Sequence, residues 1–364
     1  MTKAVILHIL GSKGLWGAES IAAAICLGMG EEYDMIYISP DGPVGNLLKN
    51  MGVRYEPIDR LNACSIRRKI KAFKPDIIHA HDNRASVFSS AATLLCREKP
   101  YLISHVHNSF PYLKKPGILR FTDRIMRPRY DENIFCSNLT HSYYKKYAPY
   151  YSKLKNCRVM ENFTDIEKNQ ARAEEENPLP GKKVFTIGFV GRLEPQKGME
   201  EFLLALRKFN HLFKADVNIH ILGMGSLEGT LRKIIEESPD KPRVRLEGYC
   251  ENPISWMKTF DLMILPSRYE GLPLTVLEAM SVGTPVLAMN VGALSETITD
   301  GVDGWLVEQG NYEGFIRKLS YLIENSNDVA IASKLTVEKV MGKYDKGQYI
   351  QRLSDIYNDA LRKR

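Results

Sequence analysis

Several features are scarce or absent in this 364-residue sequence, and each narrows the class of protein. No uninterrupted apolar run approaches the roughly 20 residues that a membrane-spanning helix needs. Residues 1–10 lead into a glycine-rich turn, so we expect a buried strand there rather than a signal peptide. The six cysteines include no C-x-x-C pair, which argues against a zinc knuckle or a redox centre. We therefore expect reduced core cysteines in a cytoplasmic protein.

Charge is unevenly distributed along the chain. The net charge is +7, yet residues 1–165 alone hold 24 Lys and Arg against 15 Asp and Glu. Part of this excess lies in a segment where basic and apolar residues alternate. The pattern fits a basic amphipathic helix on an anionic membrane or substrate, and a solvated helix face equally well. The basic residues are Lys114, Lys115, Arg120, Arg124, Arg127 and Arg129, and the apolar ones are Ile118, Leu119, Phe121, Ile125 and Met126.

The chain predicts two α/β domains. Its length exceeds what one hydrophobic core usually serves, and apolar runs of strand length alternate with helical patterns throughout, which is the rhythm of a parallel sheet. Polar linker composition at 164–183 separates residues 1–165 from residues 166–345, and the amphipathic run 346–364 is expected to pack back on the first domain. The predicted strands are 5–10, 35–39, 77–80, 102–106 and 134–136, then 184–190, 217–222, 244–246, 262–265, 285–288 and 305–307.

Two cations follow the first strand of the second predicted domain. Arg192 and Lys197 flank a turn just before a new helix, at the strand end where doubly wound sheets bind ligands. Fixed positive charge beside helix amides attracts a phosphate, although two exposed surface cations would look the same in sequence.

Two carboxylates follow another strand, in the stretch EGLPLTVLEAM. Glu270 falls in a loop, and Pro273 is expected at the first helical position, which puts Glu278 about one turn inside the helix. Carboxylates accept hydrogen bonds from vicinal hydroxyls, and the nearby amides can face a phosphate. The stretch therefore suits a sugar beside a diphosphate. The alternative is an acidic residue that merely interacts favourably with the helix dipole, which would explain Glu270 but not Glu278.

The order of these motifs resembles the C-terminal half of the retaining glycosyltransferases of family 4, which have the GT-B fold. The matching pattern is Gly-Arg-x4-Lys-Gly, Pro-Ser-x2-Glu-Gly-x6-Glu-Ala-Met-x2-Gly-x-Pro-Val, and a later Gly, Glu and Asp-Gly-x2-Gly, and it spans most of residues 184–325. The resemblance implies two Rossmann-like domains that face a central cleft. The first half resembles the family more weakly, through a glycine loop at 14–19 and the His-x-His pairs at 79–81 and 105–107.

The resemblance also implies roles for individual residues. The catalytic candidates are His107, Glu270, Arg192 and Lys197. The cations would hold the diphosphate, Glu278 the ribose, Tyr249 the base, and Glu270 the donor sugar. The remaining donor-binding candidates are Gly17, Gly271, Leu272, Leu274 and Thr275, and the acceptor-binding candidates are Gly14, Glu19 and His81.

Two departures from the family pattern matter. Asn108 stands where an acid often follows the histidine, which weakens a general-base role there, and Gly292-Ala293 replaces a common Gly-Gly.

The chain has no Asp-x-Asp pair, the motif with which transferases of the other large fold hold Mg²⁺ or Mn²⁺. The resemblance therefore implies a metal-independent enzyme without a cofactor, in which Arg192 and Lys197 stabilise the leaving phosphate.

The EGLPLT variant of the motif resembles transferases of bacterial capsule, exopolysaccharide and lipopolysaccharide assembly. It implies a UDP-sugar donor and a glycan or polyprenyl-diphosphate-linked acceptor. With the basic first domain, it predicts peripheral contact with the inner face of an anionic membrane and no nucleic-acid partner.

Other functions compete with this prediction. Gly223-x-Gly225-x3-Gly229 resembles a dinucleotide loop, but its spacing differs from G-x-G-x2-G. The His-x-His pairs could hold a metal for a hydrolase, although histidine pairs without placed carboxylates are weak signals. A sugar-nucleotide epimerase of the same fold and a non-catalytic sugar-nucleotide binder remain as further alternatives.

Overall fold

The computed structural model describes residues 3–94, 96–154, 156–238 and 242–363. Contacts divide the chain into two compact units. The first comprises the chain up to Asn162 together with the segment from Gly347 onward, and the second comprises Phe163–Lys346. The sequence had predicted boundaries at 165/166 and 345/346.

The first unit contains one parallel sheet. Within its described residues the strand order is β2-β1-β3-β4-β5-β6, a doubly wound order with its switch point between β1 and β3. The strands are β1 Val5–Ile9, β2 Asp34–Ile38, β3 Ile77–His81, β4 Tyr101–Val106, β5 Glu132–Phe135 and β6 Cys157–Val159. The helices are α1 Gly17–Met29, α2 Val44–Asn50, α3 Ala63–Phe73, α4 Asp82–Ala92, α5 Ile118–Met126 and α6 Asn138–Tyr147.

Strand register gathers histidines on one face of this sheet. His8 of β1 pairs with His79 of β3, and His81 of β3 pairs with His105 of β4. Because side chains alternate along a strand, residues two apart share a face. His107 directly follows β4, so five imidazoles collect near the carboxyl ends of three neighbouring strands.

The second unit has its own parallel sheet, ordered β12-β11-β10-β7-β8-β9 in the described residues. This is the strand order of the Rossmann fold, with the switch point between β7 and β10. The strands are β7 Phe185–Val190, β8 Val217–Leu222, β9 Arg243–Gly248, β10 Leu262–Leu265, β11 Val286–Met289 and β12 Gly304–Val307. The helices are α7 Ile166–Ala173, α8 Met199–Lys208, α9 Glu228–Glu236, α10 Pro253–Thr259, α11 Leu274–Ser281, α12 Leu294–Thr297, α13 Tyr312–Glu324 and α14 Ser326–Lys343.

The last helix, α15, spans Lys346–Arg362 and returns to the first unit. Its Tyr357 is fully buried, bonds to His79 and packs edge-on against Tyr33. Residue 364 of the predicted C-terminal segment lies outside the described residues. Short 3-10 turns lie at Pro111–Lys114, Arg127–Arg129, Pro149–Lys153, Pro195–Lys197 and Asn210–Leu212.

The central strands are fully buried apolar runs because helices cover both faces of a doubly wound sheet. All four residues of β10 and all four of β11 are buried. Such runs make the central strands visible in the sequence, and the sequence also predicts β9, although that strand is partly exposed. The twelfth, β6, is three residues long and only partly buried, so it carries no such signal.

Two local predictions need correction. The segment 164–183 is not a bare linker, because it contains α7, capped by the Asp165 side chain. Pro273 does not occupy the first helical position, since it is the extended residue immediately before α11. No helix in the described ranges combines the length and hydropathy needed to cross a membrane.

Candidate active site

The switch point of the second sheet brings two predicted loops together. β7 and β10 are neighbours, and the loops that carry Lys197 and Glu270 follow their carboxyl ends. Arg268 N donates to Gln196 O, and Gln196 Nε2 donates to Tyr269 O, so the loops are bonded along their length. Ligands bind at this place in open α/β sheets.

Lys197 and Glu270 form the best-defined contact of this site. Lys197 Nζ lies 2.6 Å from Glu270 Oε1, and Ser267 Oγ donates to the same oxygen at 2.7 Å. Glu270 is 4% exposed. A buried carboxylate is costly unless it is paired and hydrogen-bonded, and Lys197 and Ser267 supply the ion pair and the hydrogen bond at the sheet edge.

Glycines let neighbouring backbones approach this pair closely. Gly198 has a φ of +67°, and a Cβ there would collide with Pro266 O and Tyr312 Oη. Gly292 has a φ of +58°, and its Cβ would lie 2.6 Å from Gly271 O. Ala293 N donates to the same oxygen at 2.7 Å, which fixes the loop from the side of β11. Ala293 therefore fits at the position where the family commonly has the second glycine of a Gly-Gly pair.

Helix α11 presents its N-terminus beside Glu270. The first N–H groups of a helix have no intrahelical acceptor and favour negative charge. Thr275 Oγ1 is buried there and has no hydrogen-bond partner among the residues that the structure describes, so a ligand oxygen would satisfy it. Leu272 is buried in the preceding loop, while Leu274 opens the helix and is half-buried.

Glu278 lies one turn inside α11. Burial raises the pKa of its carboxyl to about 7, and Arg172 opposes this shift. Ionised Glu278 therefore becomes dominant only above neutral pH. A protonated carboxyl keeps only part of its acceptor capacity, so the protonation of Glu278 is coupled to any contact in which it accepts from two ribose hydroxyls.

Glu278 should make donor binding and stability depend on pH in opposite directions. Because the folded state retains a proton that the unfolded state loses near pH 4.5, stability falls as pH rises from about 4.5 to 7. We expect Glu278→Gln to stabilise the protein by about 2–3 kcal/mol at pH 8, measured by urea unfolding, with little change at pH 4.5. Glu313→Gln, an exposed control, should change stability by less than about 0.5 kcal/mol at either pH. An equal gain at both pH values would contradict a titrating Glu278.

Arg192 and Tyr249 follow the carboxyl ends of β7 and β9. Arg192 is half-buried and lowers the pKa of neighbouring Glu194, whose main stabilising contacts come from Ser226. Tyr249 is 67% exposed and borders a cavity of about 560 Å³ with Glu247. The structure places both residues after strand ends of the same sheet edge as Lys197.

The glycine loop of the first unit is shaped by Trp16. A Cβ on Gly14 would lie 2.7 Å from the Trp16 indole nitrogen, so that ring occupies the space over Gly14. Gly17 starts α1, and a Cβ there would meet nothing within 4 Å. Glu19 is buried in the first turn of the helix.

Gly17 and Gly14 should respond differently to alanine. Gly17→Ala has room for its methyl, so we expect an unchanged melting temperature and a loss of at least tenfold in kcat/KM if a diphosphate lies over this loop. Gly14→Ala should displace Trp16 and lower the melting temperature. Gly229→Ala, which also has open space at the start of α9, is the matched control and should retain full activity. Full activity of Gly17→Ala would remove Gly17 from the donor site.

The predicted histidines of the first unit are buried. His107 is 8% exposed, and burial lowers its pKa to about 3, with the Asn162 side chain acting in the opposite direction. His81 is 2% exposed, and its two ring nitrogens lie 2.9 Å from ring nitrogens of His8 and His107. Since both nitrogens of His81 are engaged, a direct contact with an acceptor would have to break this chain.

Sequence reasoning missed three residues of these sites. Ser267 was part of the recognised motif, but nothing in the sequence indicated its bond to Glu270. Asp82 accepts a hydrogen bond from the His107 backbone N–H at 3.1 Å. His8 joins the histidines only through the β1–β3 register.

Helix α5 presents an apolar and basic surface. Ile118, Leu119, Phe121 and Ile125 are 77%, 45%, 63% and 50% exposed. The acidic residue of this helix, Asp123, is buried. Lys114, Lys115 and Arg124 are exposed around the apolar residues, whereas Arg127 is not part of this surface because it is buried in an ion pair with Asp123.

Two family profiles match this chain, one over most of each unit. The profile described as glycosyl transferases group 1 matches residues 170–336, and that of glycosyltransferase family 4 matches residues 25–168. A Klebsiella pneumoniae protein from the cps region, uncharacterised and of 41.2 kDa, is 30% identical over 66% of this chain and 68% of its own length. The Escherichia coli UDP-Gal:alpha-D-GlcNAc-diphosphoundecaprenol alpha-1,3-galactosyltransferase is 25% identical over 83% of this chain and 80% of its own.

A solved structure shows the same architecture. HepE of Anabaena, in complex with UDP, superposes with a TM-score of 0.83 at 18% identity, over 98% of this chain and 100% of HepE. The two Rossmann-like sheets therefore define the GT-B fold class, as the sequence predicted. The chain belongs to the group 1 glycosyltransferases of GT-B fold, and its activity is glycosyl transfer.

Proposed function

We propose that this protein is a retaining glycosyltransferase that moves a hexose or N-acetylhexosamine from a UDP-sugar to a glycan or polyprenyl-diphosphate-linked acceptor in surface polysaccharide assembly. The observation that carries the proposal is the pair of Lys197 and Glu270, buried at the switch point beside the N-terminus of α11. A cation, a carboxylate and a helix N-terminus at one sheet edge match a diphosphate next to sugar hydroxyls.

Residues of the second unit bind the donor in this proposal. Arg192 and Lys197 neutralise the diphosphate, and Thr275 Oγ1 donates to one of its oxygens. The backbone of Gly271, Leu272 and Leu274 surrounds the phosphate and the sugar. Glu278 accepts from the ribose hydroxyls, Glu270 binds the sugar hydroxyls, and Tyr249 borders the base.

The chemistry requires stabilisation of a leaving diphosphate. Cleavage of the anomeric bond places negative charge on the phosphate and positive charge on the sugar. Preorganised cations and amides stabilise the former, in the role that a metal plays with an Asp-x-Asp motif. Glu270 binds rather than attacks in this proposal, with Lys197 and Ser267 fixing the orientation of its carboxylate through Oε1. The acceptor hydroxyl attacks from the leaving-group side, and the departing phosphate takes its proton.

Residues of the first unit complete the reaction. His107 contacts the donor sugar near the reacting carbon, and Gly17 lies against the diphosphate. Gly14 and Glu19 belong to the acceptor side. His81 acts through His107, since its ring nitrogens face other imidazoles.

Two comparisons support UDP and a lipid-linked acceptor. The E. coli relative is named for UDP-Gal and for a diphosphoundecaprenol acceptor, and HepE was solved with UDP. Such an acceptor lies in a membrane, and α5 offers exposed apolar side chains ringed by Lys114, Lys115 and Arg124. This charge complements anionic lipid, so α5 docks on the inner face of the cell membrane.

A ligand panel tests the donor assignment. UDP should raise the melting temperature of the purified protein, because a ligand selective for the folded state stabilises it. GDP, ADP, NAD and zinc should give smaller shifts or none. A shift with zinc or NAD and none with UDP would overturn the proposal and favour a hydrolase or an oxidoreductase. Release of free sugar or its epimer without acceptor would favour an epimerase.

A further inference from the structure

Helix α6 of the first unit holds the chain segment that follows β4. Tyr144 Oη donates to Asn108 O at 3.3 Å, and Tyr143 Oη donates to Phe110 O at 3.1 Å. The segment then enters the 3-10 turn Pro111–Lys114. It therefore lies against α6, and its last residue is a lysine.

Tyrosine rings of α6 anchor two lysines in one place. Lys114 Nζ lies 5.9 Å from the centroid of the Tyr143 ring and 5.5 Å from that of the Tyr147 ring. Lys146 Nζ lies 5.4 Å from the centroid of the Tyr147 ring. Because the faces of aromatic rings attract cations, Tyr147 holds both ammonium groups. We call these four residues the lysine–tyrosine patch.

The segments that build this patch are poor in carboxylates. Residues 99–122 and 133–160 contain no Asp or Glu. Of the three acids between these ranges, Asp123 is buried in an ion pair, and Asp131 and Glu132 lie at the start of β5, at the opposite edge of the sheet. Both lysines of the patch are exposed, and neither forms an ion pair with a residue that the structure describes. Two cations held on one ring repel each other, so an anion that contacts both is favoured.

The patch lies along α6 from the carboxyl edge of the sheet, where the proposed reaction takes place. The N-cap of α6 is Ser137, two residues after β5, and Tyr143 and Tyr147 follow it by six and ten residues. At about 1.5 Å per residue, these two rings lie roughly 9–15 Å along the helix from that edge. A diphosphate attached to a sugar at the edge can reach the patch.

Helix α5 continues from the patch. Arg120 of α5 donates through Nη1 to Leu113 O in the 3-10 turn at 3.1 Å, and Tyr150 Oη donates to Arg120 O at 3.4 Å. The exposed apolar side chains of α5 therefore begin beside the patch. Along the chain, the order is the strand end with His107, the patch and the apolar helix. Sugar, diphosphate and polyprenol follow one another in the same order in a lipid-linked acceptor.

We propose that the lysine–tyrosine patch binds the diphosphate of a polyprenyl-diphosphate-linked acceptor. Lys114 and Lys146 donate hydrogen bonds to the phosphate oxygens, while the sugar extends toward His107 and the polyprenol toward α5. The patch thereby selects acceptors that carry a diphosphate. This inference rests on the proposed function, but binding of a diphosphate can be measured without any transfer.

Calorimetric titration with farnesyl diphosphate, a soluble polyprenyl diphosphate, tests the patch without a reaction. The full-length protein is first mixed with excess UDP, so that the proposed donor site is filled. Lys114→Gln combined with Lys146→Gln should raise the Kd about tenfold or more, because two hydrogen bonds to a charged group are lost. Lys114→Arg combined with Lys146→Arg keeps both charges and should recover most of this affinity. Equal affinity of the wild type and the Gln variant would overturn the proposal.

Lys49→Gln combined with Lys71→Gln is the matched control for this titration. Both residues are exposed on other helices of the same unit, α2 and α3, so the variant loses the same net charge away from the patch. Its Kd should stay within about twofold of the wild type, because exposed charges farther apart than the Debye length are screened by salt. An equal rise of the Kd in this variant would mean that net charge, and not the patch, attracts the diphosphate, and would overturn the proposal.

Kinetics distinguish an acceptor site from a site for lipid headgroups. Two soluble acceptors with the same sugar and a short alkyl chain are compared, one linked through a diphosphate and one through a single oxygen atom. Without membranes, the Gln variant of the patch should raise the KM of the diphosphate acceptor about tenfold, with kcat, the donor KM and the KM of the other acceptor within about twofold of wild type. Weaker binding to phosphatidylglycerol vesicles with an unchanged acceptor KM would assign the patch to lipid headgroups and overturn the proposal. A wild type that binds farnesyl diphosphate through these lysines but transfers no sugar would overturn the proposed function alone.

Discussion

Replacing Lys197 by methionine is expected to lower kcat/KM about 10³-fold while the protein remains folded. Methionine keeps most of the side-chain length and removes the charge that stabilises the leaving diphosphate, and loss of one such group costs 10²–10³-fold or more. It also leaves buried Glu270 with the hydrogen bond from Ser267 but without its cation, so we expect a loss of stability as well. Steady-state kinetics with a UDP-sugar and urea unfolding separate the two effects.

Lys182→Met is the matched control for this prediction. Lys182 Nζ lies 2.7 Å from Asp261 at the opposite edge of the same sheet, where β7 and β10 begin. We expect nearly full activity in that variant and a similar or smaller loss of stability. Glu270→Gln should resemble Lys197→Met in activity. Near-normal turnover in both site variants would remove the pair from the reaction.

Replacing Ile118 and Phe121 together by serine is expected to weaken binding to anionic vesicles at least 100-fold. These side chains are 77% and 63% exposed, and their burial in lipid contributes on the order of 2 kcal/mol each. Sedimentation with phosphatidylglycerol vesicles measures the effect. Activity on a short water-soluble acceptor should not change, because α5 lies outside the proposed donor and acceptor residues.

Ile331→Ser with Met341→Ser tests whether any exposed apolar pair gives this result. Both residues are more than half exposed on α14 of the second unit, and their replacement should leave vesicle binding within twofold. Equal binding by the α5 variant would contradict membrane docking. Loss of a dimer in light scattering without loss of vesicle binding would instead assign this face to a second copy of the chain.

Much of the fold could be predicted because doubly wound sheets leave a strong pattern in sequence. Buried strands such as β10 and β11 are uninterrupted apolar runs, and the motifs follow directly after them. Helix α7 was missed because polar, charged residues dominate it, and Asp165 caps it through a contact that composition does not indicate. Strand β6 was missed because it is short and half-exposed.

The site could be predicted in part, for a similar reason. Lys197 and Glu270 follow adjacent strands of a Rossmann-ordered sheet, so motif spacing and topology together imply their proximity. The histidine chain was not predictable, because it depends on strand register between β1 and β3 and on Tyr357, which follows His79 by 278 residues. His81 accordingly looked like an acceptor contact in sequence, while the structure engages both of its ring nitrogens.

Release of UDP from a panel of UDP-sugars, measured with and without a polyprenyl-diphosphate-linked acceptor, tests the central claim most directly. The account predicts that one donor sugar gives acceptor-dependent UDP release in the wild type, with EDTA without effect and Lys197→Met inactive. Absence of UDP release from every donor, or equal release by wild type and Lys197→Met, would contradict transfer from a nucleotide sugar at this site.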